Sequence, residues 1–155
     1  HITGSVGGYG ISVSGYGNLT IEDNAVVDLD IYPGKVMSGP TMIYGISAAN
    51  DLIIGKSKID LDVFEDTNIY SVDEDGVSIT GILSHNSVIE LNGADVSINI
   101  KTSAEPLEDY FFVGMVKGIE APAVGANGAS VDINIDAKEA DQAKVMTLAT
   151  GGSLS

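Results

Sequence analysis

Four times along the chain a Gly-Ile pair is followed by a strict apolar/polar alternation. The pairs are Gly10-Ile11, Gly45-Ile46, Gly81-Ile82 and Gly118-Ile119. The alternations are Val27-Asp28-Leu29-Asp30-Ile31, Ile59-Asp60-Leu61-Asp62-Val63, Val96-Ser97-Ile98-Asn99-Ile100 and Val131-Asp132-Ile133-Asn134-Ile135. The repeating unit is about 35 residues long. Its apolar residues follow the period of two that belongs to strands, not the 3.6 of a helix. A unit of that kind cannot bury its own inner face and must stack on its neighbours, which predicts an all-β, right-handed parallel β-helix, or β-solenoid, of about four coils. Right-handedness is taken from the rule for parallel crossovers.

Each unit reads as three short strands. The Gly-Ile segment is the first. The second is Leu19-Thr20-Ile21, Leu52-Ile53-Ile54, Ile89-Glu90-Leu91 and Val124-Gly125-Ala126, and the alternation is the third. Turns of the type Asn92-Gly93 and Asn127-Gly128 join second to third, since both residues tolerate positive φ. In a hairpin such a turn would pair neighbouring strands antiparallel. Here the third strands match one another better than they match their own neighbours, so the expected partner is the equivalent strand one unit away. The return connections to the next Gly-Ile are longer and hold Pro33, Pro40 and Pro106 together with dense acidic clusters. Further strands are expected there at residues 67–72 and 110–113, and a single helical turn or loop at 136–143.

At 155 residues, 44% of them hydrophobic, the chain has material for one continuous core and reads as one domain, 1–155. Both the opening His1-Ile2-Thr3-Gly4-Ser5-Val6 and the closing Gly151-Gly152-Ser153-Leu154-Ser155 read as cut from a longer protein. Acidic residues outnumber basic ones 22 to 7, every basic residue is Lys, and the net charge is −15. A surface of that sign repels phosphate backbones and anionic headgroups, which argues against nucleic-acid and peripheral membrane partners. Cysteine is absent, which removes disulfides and thiolate chemistry. No apolar run is long enough to span a bilayer, so no membrane insertion is expected of this segment.

Stacking in register turns the outward residues of the third strand into two columns. One is Asp28, Asp60, Ser97 and Asp132; the other is Asp30, Asp62, Asn99 and Asn134. Adjacent strands lie about 4.8 Å apart, so Asp28, Asp30, Asp60 and Asp62 form a compact carboxylate patch. Its repulsion a hard cation would relieve, and Ca²⁺ is the candidate cofactor because it prefers oxygen ligands. The competing reading is a solvated strand face. Asp73-Glu74-Asp75-Gly76 and Glu105-Pro106-Leu107-Glu108-Asp109 read as solubilising turns. His85 has no second His or Cys in motif spacing and reads as an exposed turn residue. Tyr9 and Tyr44 share one repeat position, and with Asp30 they are the candidate carbohydrate-binding residues: aromatic faces suit sugar rings and carboxylates accept from hydroxyls. Coil-to-coil packing is the competing reading for both tyrosines.

On these repeats the chain resembles the pectate-lyase-like superfamily of right-handed parallel β-helices. The phrasing Tyr-Gly-Ile followed by Val/Ile-Asp-Leu-Asp-Ile/Val is similar to carbohydrate-binding or adhesin-like repeats in large secreted proteins of gut bacteria. The resemblance covers nearly the whole chain and is architectural. It implies an extracellular or cell-surface module, a stalk or adhesin segment whose partner is a glycan or another surface protein. The enzymes of the superfamily imply a catalytic Arg or Lys beside calcium-binding Asp, or Asn-Thr-Asp, Asp-Asp and Gly-His-Gly segments. Arg and the three hydrolase segments are missing here. The expected function is therefore non-enzymatic, with no catalytic residues assigned; the alternative is a fragment of a polysaccharide lyase or glycoside hydrolase. Phage tail-spike segments share the fold and form a third reading.

Overall fold

A computed structural model describes residues 2–4, 8–33, 41–65, 77–102, 113–137 and 142–148. In chain order the strands are β1 (Ile2–Gly4), β2 (Gly8–Val13), β3 (Leu19–Ile21), β4 (Val26–Pro33), β5 (Thr41–Ala48), β6 (Leu52–Ile54), β7 (Lys58–Glu65), β8 (Val77–Ser84), β9 (Val88–Leu91), β10 (Asp95–Thr102), β11 (Val113–Ala121), β12 (Ala123–Gly125), β13 (Ser130–Ala137) and β14 (Gln142–Leu148). They form three parallel sheets. Sheet A runs β1-β4-β7-β10-β13, sheet B runs β14-β11-β8-β5-β2, and sheet C runs β12-β9-β6-β3. Every strand pairs with its equivalent from the next unit, so the chain stacks as parallel coils.

The interior is a set of ladders. Ile11, Ile46, Ile82 and Ile119 pair in succession across sheet B. Leu29, Leu61, Ile98 and Ile133 do the same across sheet A. Ile46, Ile82, Ile119, Leu61 and Ile98 are completely buried. Leu19, Leu52, Ile89 and Val124 line sheet C, with Ile21, Ile54 and Leu91 as a second row. Each full burial of such a side chain contributes roughly 1.5–3 kcal/mol.

The recurring glycine has a steric cause. Ile43 and Ile46, Ile79 and Ile82, and Val116 and Ile119 all lie in the core although each pair is three residues apart. A period of two would put the members of each pair on opposite faces. The glycine between them takes up the odd residue. A Cβ on Gly45 would stand 2.5 Å from the Gly81 carbonyl oxygen and would run into Leu61 Cδ2. On Gly81 it would stand 2.6 Å from the Gly118 oxygen and 2.8 Å from Ile98 Cγ2. The bare backbone of sheet B is thus the space that the central Leu or Ile of sheet A fills.

Corners are made by small and polar residues. Gly93 (φ 70°), Gly128 (φ 65°) and Asn24 (φ 63°) provide the left-handed turns that lead into sheet A. At the corner between sheets B and C, side-chain amides satisfy carbonyls of the coil below. Asn50 Nδ2 donates to Tyr16 O at 2.8 Å, and Asn86 Nδ2 to Ala49 O at 2.8 Å. Ser84, buried, donates to Asn50 O at 2.6 Å.

Two expectations change. The helical turn or loop expected at 136–143 instead supplies the end of β13 and the start of β14. Ladder pairing of Lys101 with Asp136 and of Met115 with Gln142 overrides the local helix preference. β1 pairs Ile2 with Ile31, and β14 pairs Ile119 with Met146, so the stack has a strand on either side of its four complete units that the repeat did not mark. The further strands expected at 67–72 and 110–113 lie outside the described residues, apart from Val113 at the start of β11.

Candidate functional site

Two outer surfaces carry the candidate residues. On sheet A the predicted columns form in register: Asp28 pairs with Asp60, Asp60 with Ser97 and Ser97 with Asp132. Asp30 pairs with Asp62, Asp62 with Asn99 and Asn99 with Asn134. The array is partly self-satisfied. Asn99 Nδ2 donates to Asp62 Oδ1 at 2.7 Å, and Lys58 Nζ lies 3.7 Å from Asp60 Oδ2. Among the described residues no group of three or more His, Asp or Glu side chains converges to hold a metal ion, so the four aspartates stand as two register pairs.

The candidate carbohydrate-binding residues do not share a surface. Asp30 projects from sheet A, whereas Tyr44 belongs to β5 of sheet B. Tyr9 pairs with Tyr44 through the backbone. The Tyr44 ring is 7% exposed, so it is no open platform. Its hydroxyl donates to Met42 Sδ at 2.8 Å, and its ring meets the His85 imidazole edge-on at 5.9 Å with an interplanar angle of 82°.

That contact opens onto a groove of about 410 Å³ on the outer face of sheet B. Tyr44 and Leu83 give it apolar wall; Thr80, His85, Lys117 and Glu120 give it hydrogen-bonding groups. Lys117 Nζ and Glu120 Oε1 are 2.6 Å apart with side chains 14% and 32% exposed, so the pair neutralises itself within the wall. His85 is exposed, as its turn position predicts, with Nε2 at 3.5 Å from Ser47 Oγ. Sequence reasoning missed this groove. Its one visible signal was Leu83, a large apolar residue at a position where the alternation calls for an outward polar one, and Leu83 is 4% exposed. The most exposed aromatic of the described chain is Tyr16, at 96%, on the corner whose backbone Asn50 holds.

No family model, no curated protein and no solved structure matches the chain.

Proposed function

We propose that this chain is a non-enzymatic, extracellular β-helix module of a bacterial cell-surface protein, a right-handed solenoid with a unit of about 35 residues, of the pectate-lyase-like type, that binds a neutral glycan. The observation that carries the binding reading is the sheet B groove. It combines an aromatic edge and an aliphatic floor with hydroxyl, imidazole and amine groups, the composition of a small polar-ligand cleft, and its volume lies within the usual range for one. The Lys117 and Glu120 charges in the wall compensate each other, which suits polyhydroxylated neutral rings better than a charged ligand. Parallel coils keep the groove rigid, so little ordering entropy opposes binding.

The test is a glycan array with the purified chain, followed by titration of any ligand found. Weak binding is expected, lowered by His85→Ala. That substitution removes an exposed side chain and should leave stability within about 0.5 kcal/mol. Prolonged incubation with pectins, glucans and host glycans should release no product. Reducing ends or unsaturated products that disappear on substitution of a single Asp or Glu would establish the polysaccharide-degrading alternative instead.

A further inference from the structure

Sulfur enters this chain only through methionine. There is no cysteine, and the four methionines are Met37, Met42, Met115 and Met146. No thiolate competes for a peroxide, so an oxidant of that class meets thioethers first. Met42 and Met115 share one outward column of sheet B, each paired across the ladder with Ser78. Met115 is partly buried, whereas Met42 is 53% exposed and lines the groove with Tyr44, Ser78 and Thr80. That exposure stands out on a face whose other outward residues Tyr44, Ser47 and Thr80 are buried.

We propose that Met42 is an oxidation site and that its sulfoxide remodels the wall of the groove. Divalent sulfur has two lone pairs. One accepts from the Tyr44 hydroxyl at 2.8 Å, and the other remains for the oxidant. That pair attacks one oxygen of hydrogen peroxide: the O–O bond breaks as the S–O bond forms, the proton on the attacked oxygen passes to the departing hydroxide, and water leaves. Sulfur gives up two electrons and peroxide takes them. The return reaction needs a dithiol from another molecule, because this chain carries no thiol; the dithiol becomes a disulfide and the oxygen leaves as water.

Oxidation changes what Tyr44 is bonded to. A thioether is a weak acceptor, whereas the sulfoxide is polar and offers an oxygen, so the Tyr44 hydroxyl is drawn from sulfur toward that oxygen. The same ring meets the His85 imidazole edge-on at 5.9 Å. A shift at Tyr44 therefore reaches His85, and an apolar part of the groove wall becomes polar.

The experiment treats the intact chain with dilute hydrogen peroxide beside a Met42→Leu variant, a volume-conserving change that removes the sulfur. Peptide mapping by mass spectrometry follows sulfoxide at residues 42 and 115. NMR follows the imidazole signals of His85, one of two histidines, assigned by their loss in His85→Ala. Met42 should oxidise faster than Met115 by about twofold or more. The His85 signals should move as Met42 converts, return after treatment with thiol-driven sulfoxide reductases, and stay in place in peroxide-treated Met42→Leu. Oxidation of Met115 as fast as that of Met42 overturns the inference. So do His85 signals that stay still while Met42 converts, or that move equally in Met42→Leu. No glycan enters either measurement, so the outcome is separate from whether the groove binds one.

Discussion

Sheets A and B enclose one core, yet they treat their outer faces differently. In sheet A the pattern is strict: Ile59, Leu61 and Val63 are buried while Asp60 and Asp62 between them are half-exposed. In the middle strands of sheet B burial is continuous, from residue 43 to 49 and again from 79 to 84. Ser47, Thr80 and Leu83 point away from the core and are still less than 5% exposed. Sheet A behaves as a strand layer solvated on one side, whereas the outward residues of the middle strands of sheet B are themselves withdrawn from water. Outward residues are therefore a display surface on sheet A and part of the packing on sheet B.

The largest expected effects lie where the two sheets meet. Leu61→Ala removes a fully buried side chain from the place where it fits over Gly45, and should cost about 2–5 kcal/mol in chemical denaturation. Gly45→Ala attacks the same contact from the other sheet. Its Cβ meets both Leu61 and the Gly81 carbonyl oxygen, and overpacking of this kind costs about 1–3 kcal/mol. Combining the two should recover only the Leu61 part, since the carbonyl oxygen cannot move without shifting the strand. Full recovery in the double variant would mean that side-chain crowding alone keeps the glycine. A double variant whose losses simply add would break the proposed fit between the sheets.

Smaller, and aimed at the outer faces, is a matched pair of truncations. Leu83→Ala on sheet B should cost about 2 kcal/mol, because nearly all of that side chain is out of water. Ser97→Ala, in the corresponding outward layer of sheet A, should stay within about 0.5 kcal/mol. Equal costs would erase the distinction between the two faces.

That distinction also marks how far the sequence could be read. The Leu29-Leu61-Ile98-Ile133 and Ile11-Ile46-Ile82-Ile119 ladders were legible because register follows from a repeated period-two pattern. The aspartate columns were legible for the same reason. The groove was not: a side chain's burial on an outer face depends on what lies over that face, and no local periodicity encodes it. Tyr44 shows the difficulty: the sequence left a carbohydrate-binding aromatic and coil-to-coil packing as competing readings, and the residue is almost wholly buried, with its ring edge-on to His85. The glycines were visible as a motif, but their reason was not, because it is a contact with Leu61 and Ile98 from another strand of the coil. β1 and β14 lack the repeated phrases altogether and are strands by virtue of their ladder partners.

The smallest expected effect tests what the sheet A display surface can hold. Asp28 beside Asp60 and Asp30 beside Asp62 place like charges on neighbouring strands, about 4.8 Å apart. In water such a pair costs on the order of 1 kcal/mol, and the nearby Lys58 and Asn99 already lessen it. The residual attraction for Ca²⁺ is therefore small, and a titration by calorimetry should show weak heat that vanishes in Asp60→Asn combined with Asp62→Asn. The same double substitution leaves the groove untouched, so glycan binding there should survive it. Calcium heat that persists in the double variant would move the cation elsewhere. No heat at all would leave the columns as solvated strand face, while glycan binding that falls with the double variant would show that the two surfaces of the solenoid are not independent.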